Sequence, residues 1–134
     1  MNVAAAQLQS SELAKQIAEA LDTFSIPADL LCVAITERSL MLDPETAIDA
    51  LGAVRDLGVE LAVDDFSTGF SSLARLKHLP VDTLKIDRSF VSGIVTSATD
   101  CEIVRTIVWL SGGLGLDVVA EGVEDQEQVE MLLE

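Results

Sequence analysis

Two adjacent carboxylates end one short apolar run of the chain, and a lysine lies within a later one. Asp64 and Asp65 directly follow the run 61–63. Lys85 precedes Asp87 by two residues, so these two side chains lie on the same face of a predicted strand. Acids beside a cation at the carboxyl edge of a parallel sheet are typical of sites that bind a phosphate group or a divalent metal ion.

The alternative interpretation of the two aspartates is purely local. An Asp-Asp pair before a helix often serves only as a cap and a turn. Lys85 favours a site, because Leu84 and Ile86 enclose it and an ammonium group among apolar residues requires carboxylate partners.

Further acids follow apolar runs in the same way. Glu37 ends the run 30–36, and Glu121 follows the run 118–120. The carboxyl ends of parallel strands meet at one edge of a sheet, so these acids are candidates for the same site. Other polar or aromatic residues have simpler interpretations: Glu124 and Asp125 as helix-capping residues, His78 as a surface residue, and Phe90 and Trp109 as core residues.

Apolar periodicity and capping residues predict an alternation of strands and helices. Helices are expected at 12–24, 43–57, 71–76, 100–109 and from 125 onward, with Ser10 or Ser11 capping the first. Strands are expected at 30–36, 61–63, 83–86 and 118–120, with 2–8 as a further candidate. The pattern predicts an α/β fold, a partial (β/α)8 TIM-type barrel of about five βα units. Such a sheet is too short to close and has two open edges.

Composition narrows the classes of partner and compartment. The 134 residues carry a formal net charge of −15, which argues against binding to DNA or RNA duplexes. Cys32 and Cys101 have no CxxC spacing, so free thiols in a reducing cytoplasm are expected rather than a disulfide. No apolar run is long enough for a membrane span and the first residues do not resemble a signal peptide, so any membrane anchor is expected elsewhere in the parent protein.

Four motifs of this chain, in this order, closely resemble the EAL domain. They are DDFSTGFSSL at 64–73, LPVD at 79–82, LKIDRSF at 84–90 and VAEGVE at 119–124, and residues 2–3 and 35–37 also align. The family consists of cyclic di-GMP phosphodiesterases, bacterial signal-transduction hydrolases, on a modified (β/α)8 barrel of roughly 250 residues. The resemblance therefore implies metal-dependent hydrolysis of cyclic di-GMP to linear pGpG. A homodimer and further signalling domains in the parent protein are also expected.

The resemblance also implies roles for individual residues. Two Mg²⁺ or Mn²⁺ ions would be held by carboxylate and amide oxygens, here Asn2, Asp64, Asp65 and Glu121, with Asp65 at the second ion and its water. Lys85 resembles the residue that holds the attacking water or a phosphate oxygen, which makes Lys85, Asp65 and Glu121 the candidate catalytic residues.

Two more acids match residues that support the site in the family. Glu37 resembles the glutamate that braces the loop 66–72, and Glu124 matches an acid placed behind the metal ligands.

Three departures from the family pattern predict an impaired two-metal site. The Glu-Ala-Leu signature of the first barrel strand, whose glutamate is a metal ligand, is absent. Ala34 occupies the position of another ligand glutamate, and Ser67 replaces a glycine. The final strand with its glutamine is missing as well. Residues 1–134 are therefore expected to form the central part of an EAL domain, and this chain alone is predicted not to hydrolyse cyclic di-GMP.

Two other functions compete with the phosphodiesterase. A catalytically inactive EAL module could sense cyclic di-GMP or dock a protein partner; Ala34 favours this alternative, whereas Asp64, Asp65, Lys85 and Glu121 favour the enzyme. A phosphoacceptor receiver domain also uses an Asp pair and a lysine. Receivers place the lysine several strands after the acids, whereas Lys85 lies on the very next predicted strand.

Overall fold

The chain forms one parallel β-sheet covered by helices on one face. In a computed structural model, which describes residues 1–10, 12–66 and 76–133, five strands lie in the order in which they follow one another along the chain. They are β1 (Asn2–Val3), β2 (Cys32–Thr36), β3 (Glu60–Phe66), β4 (Thr83–Ile86) and β5 (Asp117–Ala120). All neighbouring pairs are parallel. Right-handed crossovers between strands in sequential order place every connecting helix on the same side, which is the arrangement of a TIM-type barrel.

Seven α-helices connect or follow these strands in the described residues. They are α1 (Ala5–Leu8), α2 (Leu13–Phe24), α3 (Glu37–Leu42), α4 (Pro44–Arg55), α5 (Arg88–Gly93), α6 (Ala98–Leu114) and α7 (Gln126–Leu133), with a 3₁₀ turn at Ala28–Leu30. Capping residues explain where several of these helices begin or end. Asp43 caps α4 by accepting a hydrogen bond from the Thr46 N–H, and Pro44 provides the first helical residue. Gly115 ends α6 at a φ of 71°, where a side chain would be strained.

The core lies between the sheet and its helices. Val33, Ile35, Leu61 and Leu84 on the strands are fully buried, and Val63 is 1% exposed. These residues alternate along their strands with residues of the opposite face, as the pleat of a strand requires. Burying such aliphatic side chains stabilises the fold by about 1.5–3 kcal/mol each.

The opposite face of the sheet, here called the polar face, carries small and polar side chains. Ala34, Ala62 and Thr83 lie on it in register. Thr83 Oγ1 donates a 2.8 Å hydrogen bond to Glu60 Oε1 on the neighbouring strand. In a TIM-type barrel this face would be the interior, and its residues at the carboxyl ends of the strands would face the active site.

Several sequence-based expectations need correction. Helix α2 begins after Glu12, whose own side chain does not cap it; Ser10 Oγ accepts a 3.2 Å hydrogen bond from the Glu12 N–H, and Ser11 lies outside the described residues. The candidate strand 2–8 is a strand only at Asn2–Val3 and continues as helix α1. Helices α3 and α5 were not predicted either, and α6 is longer than expected at both ends. Trp109 is 80% exposed on α6, so its assignment to the core is wrong. Ser67, and the predicted helix 71–76 except for its last residue, lie outside the described residues.

Two further findings concern the thiols and the membrane. Cys101 is buried, Cys32 is half-buried, and both are free thiols. Among the helices of the described ranges, none combines the length and apolar character needed to cross a membrane.

Candidate functional site

A β-bulge places Asp64 and Asp65 on the same face of the sheet. Val63 pairs with Leu84 and Phe66 with Ile86, so β3 contains one residue more than β4 between these two pairs. Val63 and Phe66 are both buried on the helix side, which leaves the two aspartates between them for the polar face. Asp65 adopts a φ of 54°, a left-handed conformation that is uncommon for a residue with a side chain.

Lys85 joins carboxylates from two neighbouring strands. Its Nζ lies 3.1 Å from Asp64 Oδ1, and it also forms an ion pair with Glu121 Oε1. Burial by itself would lower the pKa of Lys85, but hydrogen bonds to Glu121 and Asp64 outweigh it and the pKa lies above its ordinary value. Lys85 is therefore a fixed positive charge in this site at neutral pH.

Several carboxylates lie close to Asp65, the second aspartate of the bulge. Burial, together with the charges of Asp64 and Asp87, raises the pKa of Asp65 above its ordinary value, and Glu121 adds to the effect. Besides burial, the neighbouring carboxylates of Asp64, Asp87 and Glu121 thus disfavour the charged form of Asp65. A cation of higher charge would relieve this repulsion.

Asp87 belongs to the same cluster, as its place on the strand face of Lys85 indicated, although it was not among the predicted ligands or catalytic residues. Its carboxylate accepts hydrogen bonds from the hydroxyl and the backbone N–H of Ser89, which lower its pKa. It also forms a side-chain hydrogen bond with Asp65. The available signal was its spacing from Lys85, which puts both on one strand face, but an Asp before a helix is equally typical of an N-cap.

The turn after β5 holds Glu121 at the edge of the site. The Glu121 N–H donates a 3.1 Å hydrogen bond to the Ile86 carbonyl, which extends the pairing of β5 with β4. Beyond the turn, Glu124 Oε1 accepts a 2.7 Å hydrogen bond from the Arg88 guanidinium. Glu124 therefore links this turn to Arg88 at the start of α5. Among the described residues, it forms no hydrogen bond or ion pair with the acids of the cluster.

The other half of the sheet edge is poor in ligands. Asn2 on β1 pairs in register with Ala34 on β2, and Ala34 pairs with Ala62 on β3. Asn2 thus lies at a level two residues before Asp64, or roughly 7 Å back along the strand direction. Ala34 is 6% exposed, so the position matching a family ligand is a buried methyl group.

Glu37 is a buried acid at the start of α3. Its side chain is 2% exposed, and α3 packs against both β2 and β3. The predicted role of Glu37, bracing the loop 66–72, falls largely on residues outside the described ranges and stays a prediction.

The chemistry of the acids fits a hard divalent cation, although they are not gathered into a ready coordination shell. Carboxylate oxygens are the ligands that Mg²⁺ and Mn²⁺ prefer. In the part of the chain that the structure describes, no three Asp, Glu, His or Cys residues are arranged to hold a metal ion. The Lys85 ammonium instead bridges Asp64 and Glu121. An ion held by both carboxylates would have to displace Lys85 from at least one of them.

A Glu-Ala-Leu tripeptide does occur in the chain, in a different structural context. Glu19, Ala20 and Leu21 lie within helix α2 and not on a strand. This tripeptide therefore does not supply the ligand of the signature strand.

Comparison with known proteins gives a consistent result along the whole chain. The sequence model of the EAL domain matches residues 1–134. The cyclic di-GMP phosphodiesterase NbdA of Pseudomonas aeruginosa is 42% identical over 134 residues, which are 100% of this chain and 17% of NbdA. The phosphodiesterase PaMucR, solved in complex with c-di-GMP, is 38% identical with a TM-score of 0.93 over 98% of this chain and 53% of its own.

A metal-containing structure is similar as well. A manganese and cy-diGMP complex of Klebsiella pneumoniae BlrP1 is 30% identical, with a TM-score of 0.90 over 99% of this chain and 34% of its own. The chain thus spans about half of one solved structure, about a third of the other and about a sixth of NbdA.

Proposed function

The chain belongs to the EAL domain family, and from that membership we propose that it is the central part of a metal-dependent cyclic di-GMP phosphodiesterase domain. The observation that carries the proposal is the convergence of Asp64 and Glu121 on Lys85 at the carboxyl edge of the sheet, with Asp65 close enough to both acids to feel their charge. This is the edge at which TIM-type barrels place their active sites.

The proposed ligands divide between two sides of the site. Asp64, Asp65 and Glu121 would hold Mg²⁺ or Mn²⁺, with Asn2 contributing an amide oxygen from β1. Bound divalent ions would supply an activated water and neutralise the charge of the phosphate. The raised pKa of Asp65 supports this assignment, because a carboxylate that is partly buried and repelled by neighbouring acids is stabilised by a nearby cation.

The residues of the chain itself would bind and orient the phosphate. The Lys85 ammonium, fixed between Asp64 and Glu121, would contact a phosphate oxygen or the attacking water. Glu37 and Glu124 would hold the surrounding loops. In this reaction, water opens one phosphodiester bond of cyclic di-GMP and the product is linear pGpG.

We propose that the 134 residues do not complete this site. The chain spans about half of the homologous PaMucR structure, which supports a domain whose signature strand and final strand lie outside it. The free thiols support a cytoplasmic location, where cysteines remain reduced.

A catalytically inactive cyclic di-GMP sensor is the second candidate, and Ala34 is the observation that favours it. A methyl group cannot coordinate a cation, so this chain lacks one ligand even though its fold matches that of the PaMucR structure. A sensor would bind the dinucleotide without hydrolysing it.

One experiment separates these functions from one another. Calorimetry on the full chain with cyclic di-GMP, with and without Mn²⁺, is combined with chromatography of the product. We expect Mn²⁺-dependent binding without detectable pGpG for this chain alone, and turnover when the parent protein supplies the remaining strands. Binding without turnover by the parent protein would identify a sensor. Absence of both Mn²⁺ and cyclic di-GMP binding would contradict the proposal.

A further inference from the structure

Gln128 is a buried polar residue in the first turn of α7, a helix whose other described residues are partly or fully exposed. It is 6% exposed, on the first turn of α7. Its Oε1 accepts hydrogen bonds from the Glu124 N–H at 2.7 Å and the Asp125 N–H at 3.3 Å. Its own backbone N–H donates a 2.9 Å hydrogen bond to Asp125 Oδ1. Asp125 and Gln128 therefore form a reciprocal capping box.

The shorter bond of Gln128 does more than cap the helix. In a capping box, the side chain of the third helical residue accepts a hydrogen bond from the N–H of the cap residue. Here that bond runs from the Asp125 N–H to Gln128 Oε1, and it is the longer of the two that Gln128 Oε1 accepts. The Glu124 N–H belongs to the preceding turn, and its bond to Gln128 is the shorter one. Gln128 thus anchors the turn that follows Glu121.

The turn is fixed at three points. At its start, Glu121 donates its N–H to the Ile86 carbonyl at 3.1 Å. In its middle, Gly122 has a φ of 70°, and the Arg88 side chain fills the space where a side chain at this position would lie. At its end, Glu124 is held by Arg88 through its carboxylate and by Gln128 through its backbone.

We propose that Gln128 is a positioning residue for the Glu121 carboxylate, acting through residues 122–124. The inference rests on the proposed function, because that function makes Glu121 a metal ligand. Without the Gln128 acceptor, the Glu124 N–H turns to water and the turn loses one of its anchors. The Glu121 side chain then samples positions outside the reach of Lys85 and of a shared ion.

The test compares Mn²⁺ affinity across four variants of the full chain by calorimetry. Gln128→Ala removes the anchor, and Gln128→Glu keeps an oxygen acceptor at a helix N-terminus, where negative charge is favoured. Asp125→Ala removes the cap but leaves the bond between Gln128 and Glu124. Gln126→Ala, at an exposed position of the same turn, is the neutral control.

We expect Gln128→Ala to weaken Mn²⁺ binding by about 10-fold, the lower end of effects for residues behind metal ligands. Gln128→Glu should restore affinity, and Gln126→Ala should not change it. Asp125→Ala should lower thermal stability as Gln128→Ala does, yet keep Mn²⁺ affinity. Equal losses of affinity in Asp125→Ala and Gln128→Ala would overturn the proposal, because helix stability alone would then explain both.

A second measurement separates this inference from the proposed function. The ¹⁵N resonance of the Lys85 ammonium reports its ion pair with Glu121 in the absence of any metal. We expect Gln128→Ala to shift this resonance and Gln128→Glu to retain it, even if the unmodified chain binds no Mn²⁺. A resonance unchanged in Gln128→Ala would refute the positioning role, whereas failure to bind Mn²⁺ would refute only the proposed function.

Discussion

The two halves of the sheet edge differ in the number of charged side chains that could bind a metal ion or a phosphate group. The half formed by β3, β4 and β5 brings acids and an ammonium group together across neighbouring strands. The half formed by β1 and β2 has the same parallel register but offers Asn2 beside the methyl group of Ala34. Parallel pairing therefore extends along the whole sheet edge, while the candidate metal ligands are concentrated on the β3–β5 half.

Under the proposed function, this difference would separate binding of the phosphate from activation of water. Lys85 and its carboxylate partners would engage a phosphate and one cation, since hard cations need oxygen ligands and a net negative site. A second ion needs additional oxygens, which the β1–β2 half provides only through Asn2. The comparison predicts that substitutions on the two halves have opposite effects on metal affinity.

The largest effect is expected for Asp64, the acid that joins the bulge to Lys85. Asp64→Asn removes one negative charge and a carboxylate ligand, so Mn²⁺ affinity measured by calorimetry should fall on the order of 100-fold. Asp49→Asn, at an exposed position of α4, provides a control with the same change of charge and should have little effect. Equal affinities in Asp64→Asn and the unmodified chain would show that the β3–β5 half holds no metal.

A smaller and opposite effect is expected on the poor half of the edge. Ala34→Glu introduces a carboxylate beside Asn2, so Mn²⁺ affinity should rise about 10-fold, equivalent to about 1.4 kcal/mol. Without metal, the same variant should be destabilised by about 1–3 kcal/mol, because position 34 is buried and a carboxylate there lacks a partner.

Thermal unfolding with and without Mn²⁺ tests both parts of this prediction. The metal should raise the melting temperature of Ala34→Glu more than that of the unmodified chain. Ala53→Glu, on the exposed surface of α4, should show neither effect. Loss of stability that Mn²⁺ does not reverse would mean that the β1–β2 half cannot accept a ligand.

The sequence was sufficient to predict the existence of the five strands, though not all their bounds, and the meeting of Asp64, Lys85 and Glu121. Apolar runs that end in acids specify which residues reach the carboxyl edge, and sequential parallel strands bring them together. The bulge could not be predicted, because it depends on the register of β3 against β4 and not on either segment alone. Its consequence, that both adjacent aspartates share one face, contradicts simple alternation.

The errors elsewhere also have physical causes. Helices α3 and α5 contain six residues each, too few for a 3.6-residue period to be recognised. Trp109 was assigned to the core from its apolar character, but a helix exposes one side, and only packing decides which residues lie there. Asp87 caps α5, and its second contact, with Asp65, depends on the bulge, so its spacing from Lys85 could not by itself reveal that contact.

The smallest effect concerns Asp65 and the pH dependence of stability. Its pKa is raised in the folded chain, so its contribution to stability is fully present below the ordinary carboxyl pKa of 3.8 and is lost as the pH rises through the raised value. Asp65→Asn removes the charge and tolerates the left-handed backbone, since Asn is common at positive φ. The variant should therefore melt about 2 °C higher than the unmodified chain at pH 7 in the absence of metal.

The informative quantity is the sign of the difference in melting temperature between Asp65→Asn and the unmodified chain. It should shrink as the pH is lowered towards the pKa of an unfolded aspartate, because both side chains are then neutral, and thermal melts at several pH values measure it directly. Saturating Mn²⁺ should reverse it, since an ion stabilises the charged Asp65 but not an amide. A variant that is less stable than the unmodified chain at pH 7 without metal would show that Asp65 is compensated within the protein, and the excess negative charge of the β3–β5 half would then have to reside on other residues.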